Sequence, residues 1–103
     1  YADTKYLIKR VIGMPGDTVE IKNNVLYINN KVYEENYLKP NMNYKDFKLS
    51  ELNYNKIPND MYLVLGDNRE ISLDSRKIGL IKKEDINGKI SFRFWPLNKL
   101  KFF

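Results

Sequence analysis

The sequence predicts a mainly β protein. Short apolar runs alternate with polar residues, proline–glycine and paired-asparagine turns separate them, and no stretch of about ten residues carries helical spacing. Residues 5–13 form the first apolar run, Lys5-Tyr6-Leu7-Ile8-Lys9-Arg10-Val11-Ile12-Gly13. Pro15-Gly16-Asp17 then turns the chain into Thr18-Val19-Glu20-Ile21-Lys22, whose alternation puts Val19 and Ile21 on one face. Asn23-Asn24 and Asn29-Asn30 bracket Val25-Leu26-Tyr27-Ile28. Asparagine tolerates left-handed backbone, so the second pair predicts a hairpin into Lys31-Val32-Tyr33-Glu34.

From Glu35 to Lys56 the composition shifts to Asn, Tyr, Lys and Asp without periodicity, which predicts a loop-rich excursion. Ile57-Pro58-Asn59-Asp60 is a turn feeding the apolar strand Met61-Tyr62-Leu63-Val64-Leu65. Lys82 to Ile86 suits one helical turn. Gly88 to Trp95 alternates again, with Ile90, Phe92 and Phe94 sharing a face. The expected organisation is one β core from 1–22 and 57–103, with 23–56 as a small inserted lobe.

Composition narrows the chemistry. A chain of 103 residues is one domain or part of one. It has no cysteine and no histidine, which removes disulfides, thiolate metal sites and histidine-based triads. A base working near neutral pH must then be a perturbed lysine, a perturbed carboxylate or a terminal amine. The net charge of +5 and pI near 9.3 suit an anionic partner, but the basic residues are spread along the chain and mixed with acids. No apolar run reaches the length of about 18 residues that spans a bilayer. The chain begins almost inside a strand, as a fragment would.

Two segments carry the candidate chemistry. Gly66 to Gly79 reads Gly-Asp-Asn-Arg-Glu-Ile-Ser-Leu-Asp-Ser-Arg-Lys-Ile-Gly and crowds charges of both signs at the end of a strand. Ionised groups near a core are tolerated only when paired, so this pattern points to a hydrogen-bonded scaffold. If residues 72–76 are extended, Ser72, Asp74 and Arg76 point the same way. Lys9, in the first strand, shares a face with Leu7 and Val11, and an ammonium among apolar neighbours loses hydration and becomes a better base. Arg10 lies on the opposite face with Tyr6, Ile8 and Ile12, where stacking on an aromatic ring or capping a carboxylate is its ordinary use. The plainer alternatives are a snorkelling Lys9 and a surface loop held by an Asp–Arg pair.

These segments resemble the type I signal peptidases, the bacterial leader peptidases. The family's lysine box, Lys-Arg-x-x-Gly-x-Pro-Gly-Asp, is matched throughout residues 9–17. Its later box, Gly-Asp-Asn-Arg-x-x-Ser-x-Asp-Ser-Arg-x-x-Gly, is matched at Gly66, Asp67, Asn68, Arg69, Ser72, Asp74, Ser75, Arg76 and Gly79. The ending Gly-Lys-Ile-Ser-Phe-Arg-Phe-Trp-Pro at 88–96 looks like Gram-positive members.

The resemblance implies a fold of antiparallel sheets of the signal-peptidase type, here an incomplete catalytic core. It also implies a serine–lysine dyad in a membrane-associated endopeptidase that removes signal peptides from exported preproteins. Lys9 takes the role of general base, Ser72 orients its amine, and Asp74, Arg76 and Arg10 support the site. Tyr6, Leu7 and Ile8 lie on the strand that receives the extended signal-peptide end, with Ile8 shaping small-residue pockets. No cofactor and no metal are implied. The implied location is the cell membrane, with the catalytic domain on the extracytoplasmic side and attachment through an N-terminal anchor outside this chain.

The chain departs from the family pattern in two ways. Ile71 stands where many members have Asn. The nucleophile's Ser-x-Met-x-Pro-Thr box has no counterpart, because Ser50, Ser72, Ser75 and Ser91 all sit in other contexts. The chain alone is therefore expected to be inactive. The rival from another class is a non-catalytic basic β-barrel module binding single-stranded nucleic acid. A third reading, a self-cleaving serine–lysine repressor, fits the boxes less well.

Overall fold

A computed structural model describes the backbone of residues 7–85 and 92–96, and the side chains of residues 9–85. Eight strands, β1 (Leu7–Gly13), β2 (Val19–Lys22), β3 (Val25–Ile28), β4 (Lys31–Tyr33), β5 (Phe47–Lys48), β6 (Met61–Leu65), β7 (Ile81–Lys82) and β8 (Phe92–Pro96), form two four-stranded sheets. The first has the order β7-β6-β1-β8 and the second β4-β3-β2-β5. A single-turn helix, α1 (Ser75–Ile78), and the 3-10 turns Leu49–Leu52 and Lys83–Asp85 complete the described elements. The fold is mainly β with antiparallel pairing, except that β1 and β8 run parallel.

The second sheet is a meander built by the asparagine pairs. Asn23 and Asn24 turn β2 into β3 with φ of 52° and 65°, and Asn29 and Asn30 turn β3 into β4 with φ of 54° and 66°. Two consecutive left-handed residues match the twist of the flanking strands, which is why these positions favour asparagine. The chain returns at β5, which pairs with the other edge of β2. In hydrogen-bonding terms this sheet begins at Val19, because the Asn23-Asn24 turn ties β2 to β3. The stretch read as loop also contributes Phe47 and Leu49 to the core.

Alternation along β1 and β6 divides the interior in two. Ile12, Leu63 and Leu65 pack with Val19, Ile21, Leu26, Phe47, Leu49 and Ile57 between the sheets. Val11, Tyr62, Val64 and Ile81 form a smaller cluster on the other face of the first sheet. Full burial of each such apolar side chain is worth about 1.5–3 kcal/mol, so the larger cluster contributes more than the smaller one. The ladder between β1 and β6 slips between Val11 and Gly13, and these neighbouring segments feed different clusters.

The two sheets meet at a neck. The Gly16 N–H donates to the Ile57 carbonyl at 2.8 Å, and the Ile57 N–H donates to the Asp17 carbonyl at 3.0 Å. Chain entering and chain leaving the second sheet are thus stapled side by side, with Gly16 at φ 91° making the sharp turn.

Gly13 sits beside this neck. A Cβ there would collide with Ile57 Cδ1, lie 2.9 Å from Val19 Cγ2 and press on Leu63 Cβ at 3.3 Å. Gly13→Ala is expected to cost about 1–3 kcal/mol through overpacking. Urea unfolding of the variant would show a lower midpoint at an unchanged slope; an unshifted midpoint would mean that the two sheets are not held this closely.

Candidate active site

Lys9 occupies the middle of β1, with only 8% of its surface exposed. Val11, on the same face by alternation, is fully buried; the side chains of Leu7 and Ile8 and all of Tyr6 lie outside the described residues. The ammonium donates to Ser72 Oγ at 3.1 Å. Loss of hydration pulls the Lys9 pKa below its ordinary value; Asp74 opposes that shift and Arg76 adds to it. Burial dominates because the Asp74 charge is largely neutralised by its own partner.

The Lys9–Ser72 contact is possible only over a glycine. A Cβ at position 66 would run into Ser72 Oγ, lie 2.6 Å from Ser72 Cβ and stand 3.4 Å from Lys9 Nζ. Gly66 follows directly on β6, so the strand delivers its Cα against the hydroxyl. The turn from Asn68 to Ser72, closed by the Ser72 N–H on the Asn68 carbonyl at 2.9 Å, brings Ser72 back to meet it.

Residues 72–76 do not form a strand: Asp74 keeps an extended backbone, but Ser75 and Arg76 already lie in α1. Asp74 caps α1, and its neighbours turn into the helix because the side chain accepts the Arg76 N–H at 3.1 Å. The Asp74 carboxylate is fully buried and accepts three further bonds: from Arg76 Nε at 2.9 Å, Arg76 Nη2 at 2.8 Å and the Gly66 N–H at 2.9 Å. Ser75 Oγ accepts the Val64 N–H at 2.9 Å and fastens the helix to β6. Ser72 and Asp74 therefore reach the same region through a turn and a cap rather than through strand alternation.

Arg10 pairs with Asp67 in a bidentate fork, Nε to Oδ1 at 2.9 Å and Nη2 to Oδ2 at 2.8 Å. Its guanidinium carbon also stands 3.5 Å from the centroid of the Tyr37 ring. The pair is partly solvent-exposed, so its value lies in orientation more than in stability.

Sequence reasoning assigned no partner to Arg69. Its side chain is fully buried and forms a bidentate pair with Glu35, Nη1 to Oε1 at 3.0 Å and Nη2 to Oε2 at 2.6 Å. Arg69 Nε donates to the Gly66 carbonyl at 2.8 Å. Glu35 is 34 residues away in a stretch without periodicity, so nothing local pointed to it.

A cleft of about 430 Å³ opens beside Ser72, lined also by Tyr44, Phe47, Arg69 and Arg76. Among the described residues no group of three or more Asp, Glu, His or Cys side chains could hold a metal ion, and no helix is long and apolar enough to cross a membrane. The chemistry on offer is a desolvated amine held by a hydroxyl, inside a frame of paired charges.

Burial alone would raise the Asp74 pKa, but the bonds from Arg76 and the Gly66 N–H outweigh it and hold the carboxyl below its ordinary 3.8. The stability that Asp74 contributes is thus complete above pH 3.8 and is lost as pH falls through its lower folded value. Asp74→Ala strands the Arg76 charge and is expected to cost about 3–5 kcal/mol in denaturant unfolding. It should also flatten the acid side of the stability profile. A loss below about 1 kcal/mol would mark the pair as a surface contact.

Comparison with known proteins shows the family of the chain. The profile of the family described as signal peptidase, peptidase S26, matches residues 2–95. Signal peptidase IB of Staphylococcus aureus strain MRSA252 is 49% identical over 107 residues, covering 92% of this chain and 56% of the relative. Signal peptidase I P of Bacillus subtilis subsp. natto is 45% identical over 103 residues, covering 93% of this chain and 55% of the relative. The crystal structure of a signal peptidase I from Enterococcus faecalis V583 matches with a TM-score of 0.65 at 41% identity, over 74% of each chain. The chain spans a little over half the length of the curated relatives it matches. Nothing in these comparisons supports the nucleic-acid module. A profile that runs from residue 2 to 95, on a fold shared with a solved signal peptidase I, shows that the chain belongs to the signal peptidase family, peptidase S26.

Proposed function

We propose that this chain supplies the lysine half of a serine–lysine endopeptidase that removes signal peptides from exported preproteins at the outer face of the cytoplasmic membrane. The observation that carries the reading is the Lys9 amine, nearly buried and bonded to Ser72 at 3.1 Å. Removing most water from an ammonium favours its neutral form, and a neutral amine can take a proton from a serine hydroxyl. Ser72 holds the amine in one orientation. Asp74 and Arg76 fix Gly66, and hence the surface on which Ser72 rests; Arg10 and Asp67 steady the strand beside Lys9.

None of the four serines of these 103 residues stands in a nucleophile context, so the attacking hydroxyl comes from polypeptide outside them. The division into a core of 1–22 and 57–103 with a lobe at 23–56 belongs to the same proposal. Substrate would lie along Tyr6, Leu7 and Ile8 as an added strand. Supporting this, the ladder between β1 and β6 starts only at Arg10, so Leu7 to Lys9 have no ladder partner on that side among the described residues.

The sign of the pH dependence follows from burial. The base works when neutral, so activity rises with pH through the folded Lys9 pKa and levels off below the ordinary 10.5. In the full-length protein, kcat/KM for a signal-peptide substrate should show that acid limb. Lys9→Arg should lower it by about 10²–10⁴-fold, because a guanidinium stays protonated. An acid limb at 10.5, or an active Lys9→Arg enzyme, would remove the assignment.

A further inference from the structure

One carboxylate from the segment after β4 reaches across to the candidate active site. Glu35 follows β4 closely and accepts three bonds: two from Arg69 and one from the Tyr37 hydroxyl, at 2.7 Å. Arg69 passes the connection on through Nε to the Gly66 carbonyl, while the Gly66 N–H is held from the other side by Asp74. Gly66 is thus gripped at both ends of its backbone by two separate ion pairs. Its Cα is the surface against which Ser72 Oγ rests beside Lys9.

Tyr37 gives the same arm a second hold. Its ring lies under Arg10, the neighbour of Lys9 in β1, and burial raises its hydroxyl pKa, with the bond to Glu35 adding to the shift, so it stays a donor. The arm also meets the loop through backbone: the Arg69 N–H points at Met42 Sδ at 3.2 Å, and the Asn43 N–H donates to Glu70 at 3.2 Å. Four contacts from residues 35–43 therefore converge on Arg10 and the 66–70 loop.

We propose that Glu35, seconded by Tyr37, is a positioning residue for the Lys9–Ser72 pair, setting the site from the segment after β4 through Arg69 and Gly66. The proposal rests on the reading of Lys9 as the base. Around Glu35 the facing groups are Arg69, Tyr37 and, beyond the ring, Arg10; Tyr44 flanks Arg69 with its centroid 5.8 Å from the guanidinium carbon. Around Lys9 they are Ser72, Asp74 and Arg76. Glu35 does not touch Lys9. It acts by keeping Ser72 seated over the amine, so losing it lets water reach Nζ.

The test uses the full-length protein. Carbon-13 titration of the Lys9 side chain is read together with kcat and KM for a signal-peptide substrate, in wild type, Glu35→Gln and Tyr37→Phe. Relaxing the Ser72 contact rehydrates the amine, so the Lys9 titration should move up in both variants. In Glu35→Gln, kcat should fall by about ten- to a hundredfold, with KM held within about threefold, as for an interaction felt in the chemical step. Tyr37→Phe should show the same pattern at smaller size, and it decides alone if Glu35→Gln does not fold. An unmoved Lys9 titration in a folded variant, or a loss confined to KM, overturns the proposal. Lys9→Arg separates the two readings: if that variant is active the base assignment fails, while the titration still reports whether Glu35 seats the pair.

Discussion

Ser72 rests on the bare Cα of Gly66, and the surrounding structure is arranged to keep that contact closed. The approach leaves no room for a Cβ, so a side chain at 66 would push the hydroxyl off the Lys9 amine. Such a contact has little cohesion of its own. It persists because β6 ends there, because the Asp74 cap pulls the Gly66 N–H one way, and because Arg69 holds the carbonyl the other way. The ionised groups of the site serve mainly as fasteners for a few atoms of backbone.

That role explains why so many charges are tolerated at the end of an apolar strand. Asp74 is saturated by four donors and Arg69 by three acceptor contacts, leaving neither charge without a partner. Buried ion pairs of this kind seldom add net stability over apolar packing, since desolvation offsets much of their attraction. They do add direction, because a bidentate fork admits one geometry. Lys9 is the exception in the frame, a cation whose hydrogen-bonding partner is a neutral hydroxyl, and burial lowers its pKa.

Much of this was legible in the residues. Apolar runs located β1 and β6, alternation located β2, and the asparagine pairs bracketed β3, the second of them predicting the hairpin into β4, because these features act over a few residues. The lysine and glycine–aspartate boxes single out Lys9, Ser72, Asp74 and Arg76. Strand alternation would have aligned Ser72, Asp74 and Arg76 only if 72–76 were extended; the capping power of Asp74 wins locally and starts a helix at Ser75. The parallel pairing of β1 with β8 and the Glu35–Arg69 pair were out of reach. Both join segments far apart in the chain, and such pairings are decided by which surfaces pack, not by local pattern.

The neck at Gly16, Asp17 and Ile57 has a consequence for how this architecture can change in size. Chain enters and leaves the second sheet at one stapled point, so material added beyond it need not stretch the first sheet. Lengthening a flexible connection costs only about 0.6 kcal/mol per doubling. The segment between β4 and β5 is the natural place for such growth, provided the short stretch from Glu35 to Asn43 still reaches the 66–70 loop. Inserts and deletions could therefore reshape the outer surface of the lobe freely while the amine near its base stays in register.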